Sequence, residues 1–352
     1  MKEWTALSVV KFFCVAVMIF VHAHIVLITN SYAITDTSGF FYGITSRLMF
    51  IGLFLFTLPI IAGAILRIDF GEHIIYEKLK NYKLGKIIKT AIFLSVAGFF
   101  MNAITWGWGY TFSWNVLQLV SLSFVVIAIL MKISSIRAVF FAGLIAILAA
   151  QPLRDFLGNM DYGYFASIFI GADNSYIFWP FSPWFGVVTA GFLIAHFYLK
   201  CEDSFKFRII MTILGATLVA IAFFRGELLP YLDPLYIWAP SLFQPKIGWV
   251  LASIGLFCIL IIIGNMFFNK ISLKKYGIIN SYSQGILWIY IAQMFVSYNL
   301  AFYIKRIFPM DKPSLAYFIL PIFMLLFSWM VGALSIKFLR GKSIVVTLKK
   351  IQ

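Results

Sequence analysis

Residues 9–28 read VVKFFCVAVMIFVHAHIVLI. Only Lys11, His22 and His24 interrupt the apolar run, and a helix drawn from it is apolar on almost every side. At about 1.5 Å of rise per residue such a segment covers about 30 Å, the thickness of a bilayer's hydrocarbon core. A soluble helix of this length would keep a polar stripe for water. Similar blocks recur along the 352 residues, and we place spans at 6–29, 40–66, 84–105, 114–131, 137–150, 179–199, 206–224, 246–268, 278–305 and 314–338. The composition agrees: 62% of residues are hydrophobic, 12% are charged, and the mean hydropathy is +0.95. Barrel strands would alternate with period two, and these blocks do not. The expected fold is all-α, a polytopic transmembrane helical bundle of about ten spans.

The formal charge of +15 is distributed unevenly. With alternating connections assigned to opposite sides, one side carries 20 Lys and Arg residues and the other six. The rich side includes Arg67, Lys78, Lys80, Lys83, Lys86 and Lys89 in the connection 67–90. The positive-inside rule then puts both termini in the cytoplasm and accounts for the charge without nucleic acid. The connection 67–90 carries more positive charge than insertion needs, which suits an anionic cytosolic ligand. The lipid bilayer is the expected surrounding, and a bacterial inner membrane suits the lysine-rich inner loops.

Cys14, Cys201 and Cys258 offer no pair on the oxidising side and no metal-finger spacing, so neither a disulfide nor a metal site is expected. The first block reads as a retained span rather than a signal peptide. The chain reads as one transmembrane domain, 1–352, with the basic connection 67–90 and an extracytoplasmic connection 151–178. The latter carries Arg154, Asp155, Asp161 and Asp173 and suits a lid.

Ionisable groups inside spans are costly and therefore functional candidates. Eleven helical steps bring Lys11 and His22 to within roughly 20° of one another and about 16 Å apart along the axis, with Met18 between them. His24, about 200° further round, cannot share a ligand with His22. A snorkelling lysine and an interfacial histidine are the plain alternatives. Arg47 keeps its proton and needs an anion, a carboxylate such as Asp36, or carbonyls. His73 and His196 read as solvated or interfacial residues. Asn102 and Asn265 read as hydrogen bonds between helices, and Tyr290 and Gln293 share a helix face. Trp106, Trp108, Tyr110, Phe112, Trp114, Trp179 and Trp184 suit an interfacial aromatic belt, with sugar stacking as the sharper alternative.

The Lys11 to His22 spacing, a basic residue and a histidine separated by ten positions, resembles the opening of the type-3 membrane acyltransferases, which normally carry Arg at the first position. Four further stretches are similar to heparan-alpha-glucosaminide N-acetyltransferase-like proteins: SRLMFIGLFLFTLPIIAGAIL at 46–66, WNVLQLVSLSFVVIAIL at 114–130, FWPFSPWFGVVTAGFLIA at 178–195 and SQGILWIYIAQ at 283–293. The resemblance implies a bundle that takes an acyl group, usually acetyl, from cytosolic acyl-CoA to a sugar hydroxyl or amine across the membrane. No permanently bound cofactor is implied; acetyl-CoA is the donor substrate, and a sugar, glycan or glycolipid the acceptor. On that basis His22 is the catalytic base or acyl carrier, and Arg47 positions the acceptor or stabilises the oxyanion. Lys11, Lys83, Lys86 and Lys89 hold the donor, while Trp114, Gln118, Tyr290 and Gln293 contact the acceptor. A transporter or flippase for an anionic or sugar-containing solute is the rival reading. It has little intramembrane carboxylate, no repeat and no ATP-binding motif behind it.

Overall fold

The computed structural model describes residues 4–30, 57–70, 80–157, 163–171, 179–201, 204–227, 245–268, 277–307 and 316–348. All regular structure among them is helical. The helices are α1 (Thr5–Asn30), α2 (Leu58–Phe70), α3 (Lys80–Trp106), α4 (Val116–Ile133), α5 (Ile136–Leu157), α6 (Gly163–Ile170), α7 (Phe181–Lys200), α8 (Ser204–Phe224), α9 (Ile247–Phe268), α10 (Gly277–Gln284), α11 (Ile286–Ile307) and α12 (Ala316–Leu348). Among the described residues eight helices are long and apolar enough to cross a membrane, and Leu58–Ile68 is a shorter apolar helix. The polytopic helical bundle expected from the apolar blocks is the observed fold.

Two compact units are present, one of residues 1–55 with 263–352 and one of residues 56–262, the boundary falling within α9. In the larger unit α7 is the hub, packing against α2, α4, α5 and α6. Its residues Pro183, Trp184, Phe185, Val187, Val188 and Phe192 are almost wholly buried. A helix surrounded by others is apolar all round and needs small residues where its neighbours cross. Gly63 of α2 faces the Val188 carbonyl and Gly191 of α7 faces the Ile60 carbonyl, so neither position has room for a Cβ. Gly186 likewise lies against Ile147 and the Gly143 carbonyl of α5.

In the smaller unit α1 packs against α10, α11 and α12. The Phe12 and Tyr282 rings meet edge to face, with centroids 5.2 Å apart, and the Tyr282 hydroxyl donates to the Leu325 carbonyl. The span expected at 278–305 is bent at Gly285, between α10 and α11. Gly285 comes so close to Gly332 and the Ser281 carbonyl that no side chain fits there. Its N–H still bonds Ser281 O and its carbonyl accepts from Ile289 N, and the helical ladder is interrupted between these two bonds, which lets the segment bend.

The stretch 151–178 contains the last turns of α5 and the short α6. Arg154 donates to the Pro245 carbonyl at 2.9 Å, linking the end of α5 to the approach to α9. Glu227 accepts from the Gly248 N–H in the first turn of α9, where a carboxylate complements the unpaired amides.

Candidate functional site

His22 lies on the buried side of α1. Cys14, Val15, Met18 and Ile19 on that side are at most 1% exposed, and Lys11 and His22 are half-buried. The Lys11–Met18–His22 stripe therefore faces protein. His22 Nδ1–H donates to Gln293 Oε1 of α11 at 3.0 Å. Gln293 is fully buried, and its Nε2 has no hydrogen-bond partner among the described residues. An amide N–H buried without an acceptor costs about 1–3 kcal/mol, so this group marks a place suited to an oxygen-bearing ligand. Tyr290, one turn earlier on α11, is half-buried. The imidazole of His22 and the amide of Gln293, which lie 271 residues apart in sequence, are thus joined in one polar pair. His24 lies on α1 with its side chain outside the described residues, and Arg47 falls outside them entirely.

Lys86 and Lys89 are exposed near the start of α3, three residues apart on neighbouring turns. Lys83 belongs to the same helix, with its side chain outside the described residues. The exposed pair leaves two ammonium groups available to an anion.

Gln118 and Trp114 have structural roles beside those expected of them. Asn115 caps α4: its Oδ1 accepts from Leu117 N–H at 2.8 Å, and Gln118 Oε1 accepts from the Asn115 N–H at 3.3 Å. This is a capping box, legible in the sequence as Asn115 followed three residues later by Gln118. Asn102 completes the cluster, donating to the Thr111 and Ser113 carbonyls and accepting from Asn115 Nδ2. Expected as a bond between two helices, Asn102 joins the end of α3 to the cap of α4 and also holds the turn between them. Gln118 Nε2 remains buried without a partner among the described residues. The Trp114 indole donates to the Trp179 carbonyl at 2.7 Å, and the Trp179 and Trp184 rings lie 4.5 Å apart. Trp184 is fully buried, whereas Trp108, Tyr110 and Phe112 are exposed as an interfacial belt requires.

One pair was not foreseen. Arg67, counted among the charges of the basic connection, is buried in the last turn of α2, and its Nε–H donates to His196 Nδ1 at 2.9 Å. Arginine keeps its proton, so the accepting imidazole nitrogen must be unprotonated. The nearest signal in the sequence was Arg67 lying at the very edge of an apolar block.

Fold and site together define a multi-pass membrane protein with an intramembrane imidazole–amide pair and an exposed cationic pair on α3. A model of the catalytic domain of heparan-alpha-glucosaminide N-acetyltransferase matches residues 5–233. The chain belongs to that family and is a membrane acyltransferase. No curated protein and no solved structure matches it. The matched region contains Lys11, His22, Arg47, the basic connection, Trp114 and Gln118; Tyr290 and Gln293 lie beyond it.

Proposed function

We propose that the protein transfers an acyl group, acetyl in the first instance, from cytosolic acyl-CoA to a hydroxyl or amine of an extracytoplasmic sugar, glycan or glycolipid. The observation that carries this reading is the catalytic-domain match over residues 5–233, which takes in His22. The family's name joins acetyl transfer to a glucosamine unit and sets the first acceptor to try. His22 serves as general base. As the acceptor oxygen or nitrogen attacks the thioester carbonyl, the imidazole takes its proton. The tetrahedral intermediate then expels coenzyme A as thiolate, which recovers the proton from the imidazolium. Gln118, Trp114 and Tyr290 are carried forward as acceptor contacts, Lys11 as a donor contact, and Arg47 as the group that positions the acceptor or meets the oxyanion.

Lys83, Lys86 and Lys89 attract the phosphates of coenzyme A. The one-sided Lys and Arg distribution supports cytoplasmic termini and hence cytoplasmic access to these lysines, in a membrane such as the bacterial inner membrane.

Acetyl-CoA titrated into the purified protein in detergent is expected to bind saturably by calorimetry and to raise the melting temperature. Lys83/Lys86/Lys89→Ala is expected to weaken that binding by about tenfold or more, which is about 1.4 kcal/mol. A folded sample that binds no acetyl-CoA would count against the donor assignment.

A further inference from the structure

We infer that Gln293 is the positioning residue for His22: its amide carbonyl holds the imidazole as the Nδ1–H tautomer and leaves Nε2 carrying the lone pair. This inference rests on the reading of His22 as the proton acceptor. A carbonyl oxygen has no proton to give, so at 3.0 Å the Nδ1 atom must donate. A neutral imidazole bears a single N–H, and fixing it at Nδ1 makes Nε2 the basic nitrogen.

The backbone turn that carries this amide is itself held in place. Gln293 is fully buried, its neighbours Ile289 and Met294 are buried, and one turn further on Ser297 donates its hydroxyl to the Gln293 backbone carbonyl at 2.6 Å. Ser297 also lies 3.6 Å from Met324 Sδ of α12, so two helices fix this turn.

The chemistry of the partner matters too. Helices α1, α10, α11 and α12 contain no Asp or Glu; their ionisable side chains are Lys, Arg, His, Tyr and Cys. Within these helices the imidazole is therefore oriented by a neutral amide rather than by a carboxylate. The buried Nε2 of Gln293, which lacks an acceptor among the described residues, is the second observation pointing to a ligand here. Its N–H groups suit an oxygen of the reacting species, the thioester carbonyl or the acceptor hydroxyl. Were the amide reversed, its NH2 would donate to Nδ1, the proton would sit on Nε2, and the base would face the wrong way.

The test is the nitrogen spectrum of full-length protein labelled with 15N-histidine, with the His22 signals assigned by difference against His22→Gln. The expected result is a protonated Nδ1 and an unprotonated Nε2, with that pattern lost in the isosteric Gln293→Met. A protonated Nε2, or a pattern unchanged in Gln293→Met, overturns the inference.

Turnover of acetyl-CoA with glucosamine as probe acceptor gives the second readout. Gln293→Met is expected to lower kcat by at least about tenfold with KM for acetyl-CoA little changed, as for a base held in the wrong tautomer. Gln293→Glu restores an acceptor oxygen and is expected to recover much of that loss. The two readings fail separately. If His22→Ala keeps full activity, the base assignment fails; if His22→Ala is inactive while Gln293→Met keeps wild-type kcat, only the positioning role fails.

Discussion

His22→Ala is expected to lower the acyl-transfer rate by about 10²–10⁴-fold, the usual contribution of a positioned general base, while the protein stays folded. The stripe that His22 shares with Met18 and Lys11 is packed by α10, α11 and α12. Losing one half-buried imidazole from a stripe anchored by Val15, Met18 and Ile19 removes little apolar contact. It does leave the Gln293 carbonyl without its donor, which costs about 1–3 kcal/mol unless water takes the place. A site whose amide nitrogen has no partner among the described residues offers water a second polar group. A modest fall in melting temperature and a large fall in rate are therefore expected together. Full activity in a folded variant would remove His22 from the chemistry.

The second large effect concerns stability. Gly191→Ala and Gly85→Ala make the same chemical change in two helices and are expected to act with opposite sign. At Gly191 the new Cβ meets the backbone carbonyl of Ile60, which cannot rotate away, so α2 and α7 must separate. Overpacking of this kind costs about 1–3 kcal/mol, and Gly191→Leu is expected to prevent stable folding. At Gly85, in the exposed start of α3, a Cβ meets nothing within 4 Å. There the change removes glycine's backbone freedom and stabilises by about 0.5–1 kcal/mol. Thermal unfolding of both variants in detergent checks the contrast. Equal shifts would mean that the α2–α7 crossing is not close-packed.

These packing relations explain which features the sequence carried openly. Apolar length placed the spans, since lipid imposes that length on every crossing. The bend at Gly285 was less visible because no proline marks it, and only the approach of Gly332 gives the glycine its purpose. The capping box at Asn115 and Gln118 was readable from spacing alone, yet two polar residues within an apolar block also suggest a binding site. At the site, His22 and Gln293 were each conspicuous as polar groups in lipid. Their pairing depends on α1 and α11 packing together, a long-range event that no local pattern encodes. Arg67 and His196, 129 residues apart, were hidden for the same reason, and the abundance of charge in the basic connection made Arg67 look like one more solvated residue.

The most direct measurement is acyl transfer by the wild-type protein in sealed proteoliposomes, with labelled acetyl-CoA on the face bearing the basic connection and glucosamine or glucosaminyl lipid on the other. The account predicts labelled acetyl-sugar on the acceptor side, formed in step with free coenzyme A on the donor side and absent with His22→Ala. Uptake or flipping of the sugar without acetylation, unchanged by omitting acetyl-CoA, would contradict it and make the protein a transporter.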